Sequence, residues 1–167
     1  MEVNYTPPTD PKLLDPVALA DQLSATLDAA APWLGRLTPQ LAATPLAEGK
    51  WSPQLVIGHL TDSATNNLAR IVRLQISPEP LPSYDADTWI ALQHYAGREW
   101  KQVFDLWLAL NRHLAWTIRQ VPQHSLSNHG TVGGTVVSLG FVIEDYIAHL
   151  RHHLDPLQAW VRAQSQG

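Results

Sequence analysis

Cysteine is absent from all 167 residues. That excludes disulfides, thiolate nucleophiles and cysteine-ligated zinc. A metal ion could be held only by histidines and carboxylates, and thiol chemistry would need a thiol brought by a substrate. A basic run or stripe is also missing: 11 Lys and Arg stand against 15 Asp and Glu, a net charge of −4. The footprint that proteins present to a nucleic-acid backbone is therefore lacking, and no nucleic-acid partner is expected. No apolar run approaches the roughly 20 residues that a membrane-spanning helix needs. The start of the chain, Met1 to Pro8, is polar and proline-rich, without the pattern of a secretory signal. These two absences predict a cytoplasmic protein with no membrane partner. There is no glycine-rich phosphate loop, no Ser/His/Asp arrangement and no His-Glu-x-x-His signature, since Leu150 follows His149.

What is present points to helices. The apolar share of 45% is ample for one core, and the length suits one domain over 1–167 with an irregular segment at 1–14. The first helical stretch starts with Asp15 as N-cap and Pro16 at the first position. Leu19, Leu23, Leu27, Ala30 and Leu34 then recur at helical spacing, until Pro32 kinks or ends it. The second starts at Ser52 and Pro53 and ends by Ser77, because Pro78, Pro80 and Pro82 cannot continue it. The third covers roughly 97–120, with an apolar stripe through Trp100, Val103, Phe104, Trp107, Leu110, Leu114 and Ile118. The fourth runs from about Thr135 to about Gln164, bent or interrupted at Pro156. Long connections separate the second from the third stretch, with a short helix near 87–93, and the third from the fourth, where 121–134 reads as loop. Period-two alternation is nearly absent, the β-branched run Thr131–Val137 being the only strand-like piece. The expectation is an all-α four-helix bundle that is not a plain up-down-up-down one.

Two histidines one helical turn apart, His149 and His153, carry the strongest chemical signal. A spacing of four places both on one face of a helix, where they can share one metal ion. His152 leaves an alternative pair, His149 and His152, at spacing three. His59, about ninety residues earlier in another helical stretch, could supply a third nitrogen if the two helices pack side by side. Three nitrogen ligands with a vacant position is how catalytic zinc is held. Asp145 lies one turn before His149 and Asp62 three residues after His59. Each could orient a ligand imidazole, or act as a ligand or base, against the plainer reading of a solvated charge. Asn66 and Arg70 continue the His59 face, and Arg70 suits an anionic group. His124 and His129 lie in the loop before the fourth helix, where polar groups can line the mouth of a bundle. His94 and His113 read as structural or surface, while Trp51 and Trp89 could line a pocket. Asp62, Asp145 and His129 are the catalytic candidates, and Asn66 and Arg70 the cofactor-binding ones.

Four patterns resemble the DinB/YfiT-like family, which includes bacterial thiol-dependent S-transferases. They are Trp51 through His59-Leu-Thr-Asp62-Ser63, the segment Pro82-Ser-Tyr84-Asp85-Ala-Asp-Thr-Trp89, the loop His129-Gly-Thr-Val-Gly133, and the cluster His149-Leu-Arg-His152-His153. The resemblance covers most of the chain after about residue 45. It implies a four-helix bundle, often dimeric, with His59, His149 and His153 as ligands of zinc or nickel. It is the resemblance that selects His153 over His152. It also implies a small-molecule substrate and a low-molecular-weight thiol as co-substrate, with a metal-dependent hydrolase or a non-catalytic metal-binding bundle as alternatives. The chain departs from the transferase branch in three places. Pro-Glu is missing after His129, Ala148 stands where tryptophan is frequent, and Pro156 stands where a further histidine is frequent.

Overall fold

Proline and capping residues decide where the helices begin. In the computed structural model, which describes residues 9–76, 78 and 80–164, helix α1 spans Pro16–Leu34 and α2 spans Pro39–Ala43. Helix α3 spans Pro53–Leu74. Each starts with a proline at the first position behind a side-chain cap. Asp15 accepts from the Val17 amide at 3.0 Å, Thr38 from Leu41 at 3.2 Å and Ser52 from Leu55 at 3.4 Å. A missing proline N–H costs nothing there, because the first helical amides have no partner within the helix. Residues 1–8 of the expected irregular segment, and Ser77 at the expected end of the second helix, lie outside the described residues.

A short strand β1, Pro80–Leu81, precedes helix α4, Ala86–Leu92, and α5 covers Trp100–Arg119. Strands β2, His129–Val132, and β3, Thr135–Ser138, lead into α6, Leu139–Gln164. The fold is mostly helical, as expected, and β1, β2 and β3 form a small sheet in that order beside the helices. Strand β1 pairs parallel to β2, with Pro80 opposite Thr131, and β2 pairs antiparallel to β3. Gly133 and Gly134, with φ of 56° and 86°, make the two-residue turn between β2 and β3; two successive positive φ values suit a type I′ hairpin. The fourth long helix consequently starts at Leu139 rather than Thr135, with the Ser138 hydroxyl accepting from the Phe141 amide at 3.0 Å. Finally, α6 runs unbroken through Pro156 to Gln164, because packing of Leu150, Leu154, Leu157 and Val161 on the core outweighs one lost backbone bond.

The four long helices α1, α3, α5 and α6 make a four-helix bundle. Helix α3 packs against α5 and α6, and α1 packs against the same two. The first two long helices therefore sit diagonally, not as neighbours. Leu23 and Leu27 of α1, Ile57 and Leu60 of α3, Trp107 and Leu114 of α5, and Ile143 and Leu150 of α6 meet in the core. The packing of α3 on α6 brings residue 59 to the helix that carries residues 149 and 153. No helix among the described residues is long and apolar enough to cross a membrane.

Candidate metal centre

His59 on α3 meets His149 and His153 on α6, and one nitrogen from each ring lies within 4.8 Å of the others. The Nε2 atoms of His59 and His149 are 3.1 Å apart. Two bonds of about 2.0–2.1 Å at a tetrahedral zinc would hold their nitrogens about 3.3 Å apart, so this pair already has the spacing of one edge. The rings meet edge to face, with centroids 5.0 Å apart for His59 and His149, 4.8 Å for His59 and His153, and 4.7 Å for His149 and His153. Trp51 packs on the outer side of His59 at 5.2 Å.

Burial tunes these imidazoles toward the form that binds cations. It pushes His59 and His153 down to about 4. It pushes His149 lower still, with the neighbouring histidines adding to the effect. All three are therefore neutral at pH 7, and a neutral ring keeps a lone pair for a metal. A cluster of three such rings with no acid among them is a donor set that fits a borderline-soft divalent ion. His152 is exposed, flanks His153 with ring centroids 5.2 Å apart, and is not part of the converging triad.

A cavity of about 610 Å³ opens over the triad. Trp51, Tyr84, Phe141, Asp145 and Tyr146 line it, together with a polar stripe from α3: His59, Ser63, Asn67 and Arg70. These positions follow one another by four, four and three, so they share one face of the helix. The sequence reading placed Asp62 and Asn66 on that face instead, and both are displaced to its flank. Asn66 donates its side-chain amide to the Asp62 carbonyl at 2.9 Å and does not line the cavity. Asp62 is buried and does not contact His59 through a hydrogen bond; its Oδ1 accepts from Tyr95 at 2.7 Å and from Gln93. Burial raises the Asp62 pKa, and those two hydrogen bonds oppose the rise. Arg70 donates to the Pro82 carbonyl at 2.9 Å, which ties the cavity floor to the connection beyond α3. His129 is exposed on β2, opposite Ser138, and does not line the cavity. Trp89 packs on Tyr84 at 4.8 Å, behind the wall.

Residues that sequence reasoning passed over complete the site. Ser63 Oγ lies 3.1 Å from His149 Nδ1. Asn67 donates to Ser63 at its carbonyl, 2.9 Å, and at Oγ, 3.3 Å. Behind the triad, Tyr95 is gripped at both ends by α3. Gln54 donates to its carbonyl at 2.6 Å, and Asp62 accepts from its hydroxyl. Gln54, Gly58 and Asp62 recur at spacing four, one residue and so about 100° around the helix from the cavity stripe. That regular spacing was the signal available in the sequence.

The sequence model of the DinB superfamily matches residues 22–155. The fold is similar to YfiT from Bacillus subtilis, described as a probable metal-dependent hydrolase with an unusual four-helix bundle topology. That likeness has a TM-score of 0.80 at 18% identity, over 97% of this chain and 94% of YfiT. It is also similar to the mycothiol-dependent maleylpyruvate isomerase, with a TM-score of 0.71 at 13% identity, over 88% of this chain and 62% of that one. No curated protein matches the sequence.

Proposed function

The chain belongs to the DinB superfamily, and on that footing we propose that it is a metal-dependent enzyme whose divalent ion, zinc or nickel, is held by His59, His149 and His153. The observation that carries this reading is the convergence of three neutral imidazoles, one buried and two half-buried, at the head of a cavity large enough for a small-molecule substrate. When bound, such an ion acts as a Lewis acid and lowers the pKa of a thiol or water that it holds. The chain's own residues do the rest. Trp51, Tyr84 and Phe141 give apolar walls that exclude water, and the Arg70 guanidinium adds a cationic group along one side. Asp145, one turn before His149 and within the lining, is the group placed to take up or return a proton.

The reaction proposed is transfer of a low-molecular-weight thiol to an electrophile. With no cysteine in the chain, the sulfur nucleophile must arrive as a co-substrate. Hydrolysis is the second reading. It is favoured by the likeness to YfiT along nearly the whole chain.

Metal analysis of untagged protein tests the centre. About one equivalent of zinc or nickel, lost in His149→Ala, is expected. No bound metal, together with unchanged stability in chelator, would overturn the reading. Assay of metal-loaded protein with thiols plus a haloaromatic electrophile, against activated esters and amides, separates transfer from hydrolysis.

A further inference from the structure

We propose that Ser63 is a positioning residue for the metal centre, one that sets the tautomer of His149 so that its Nε2 can ligate. This rests on reading the histidine triad as a metal centre, and it assigns a role to a side chain that touches no metal itself.

The protons available limit what each atom can do. A neutral imidazole carries one N–H, and a serine hydroxyl has one proton and two lone pairs. Ser63 Oγ sits 3.1 Å from His149 Nδ1, and His149 Nε2 sits 3.1 Å from His59 Nε2. Two bare lone pairs do not approach so closely, so without metal one proton lies between the two Nε2 atoms. When His149 supplies that proton, its Nδ1 is bare and Ser63 donates to it. For His149 to ligate through Nε2, its proton must sit on Nδ1, and Ser63 must accept. Serine can do both by rotating its hydroxyl, whereas a carboxylate only accepts and a lysine only donates. The ring keeps one proton throughout; only its position changes.

The surroundings hold Ser63 to this task. Ser63 is 3% exposed and Asn67 is 8% exposed, so solvent does not readily replace either. Asn67 donates to both oxygens of Ser63, which occupies one lone pair of Oγ and leaves the other for Nδ1–H. His59, by contrast, has no hydrogen-bond partner on its Nδ1 among the described residues. Orientation of the pair therefore falls to the His149 side. Partners of this kind, one step behind a ligand, commonly change metal affinity 10–100-fold when removed.

The test uses metal-stripped, untagged full-length protein and zinc. Affinity is read by competition with a chromophoric chelator, and the His149 tautomer by nitrogen NMR of histidine-labelled protein. Ser63→Ala is expected to weaken zinc about 10–100-fold, while Ser63→Thr, which keeps the hydroxyl, holds affinity near wild type. Zinc-loaded wild type is expected to show a slowly exchanging Nδ1 proton on His149. Zinc bound at His149 through Nδ1, seen in the wild type alone, would overturn the inference whether or not the alanine variant folds. So would wild-type affinity and an unchanged slowly exchanging Nδ1 proton in Ser63→Ala, with the metal-centre reading intact. Failure of the wild type to bind zinc would overturn both.

Discussion

The ring of Tyr95 lies where a side chain on Gly58 would stand. A Cβ built on Gly58 would come within 2.6 Å of Tyr95 Cγ and Cδ2. Only glycine lets the ring press onto the backbone of α3 directly beside His59. In the same contact Asp62 and Gln54 hold the two ends of Tyr95. The histidine that α3 contributes is thus braced from behind by a residue far along the chain.

Gly58→Ala is expected to destabilise the protein. Helix propensity alone would favour alanine by about 1 kcal/mol, but overpacking against an anchored ring costs typically about 1–3 kcal/mol. The residue is held at its backbone carbonyl and its hydroxyl, so overpacking wins, with a net loss of up to about 2 kcal/mol. Urea unfolding of the two proteins checks this, and a gain in stability would show that the ring can shift.

Zinc is expected to stabilise the fold by mass action. At a free concentration a hundredfold above Kd, binding to the native state alone adds about 2.7 kcal/mol. Thermal unfolding with and without chelator should show this rise in the wild type and its loss in His149→Ala. An equal zinc-dependent rise in that variant would place the ion elsewhere.

The metal-free protein is expected to lose stability as pH falls from about 6.5 toward 4. The unfolded histidines titrate near 6.5, whereas burial holds His59 and His153 at about 4 and His149 lower. In that window the unfolded state binds more protons than the native one, so lowering the pH favours unfolding. Below about 4 the contribution of His59 and His153 levels off, while that of His149 continues. Denaturation curves at several pH values in chelator check the slope, and His59→Gln or His153→Gln should flatten it.

Tyr146→Phe is expected to cost about 1–3 kcal/mol. The Tyr146 hydroxyl donates to Asn111 Oδ1, and Asn111 is fully buried. Loss of the hydroxyl strands an acceptor that no water reaches. A double variant, Tyr146→Phe with Asn111→Leu, should cost less than the sum of the single changes, as measured in a double-mutant cycle.

Local rules alone fixed a good part of this protein. Asp15-Pro16 and Ser52-Pro53 mark helix starts because capping and proline geometry involve only neighbouring residues. The stripes of leucine and tryptophan identify core faces because burial selects for period 3.6. The spacing of His149 and His153 places both on one face by helix geometry. What tertiary structure decided is what depends on distant partners. Strand β1 is two residues long and exists only because Thr131 and Val132 lie beside it, so no local pattern announces it. Pro156 stays helical because the far end of α6 packs on the core. On α3, His59 and Arg70 mark a face that either 62 and 66 or 63 and 67 could complete. The packing of α6 on one side and Tyr95 on the other turned Ser63 and Asn67 to the cavity and Asp62 to the interior. A helix places residues by angle, but the angle that faces the site is set by what packs around it.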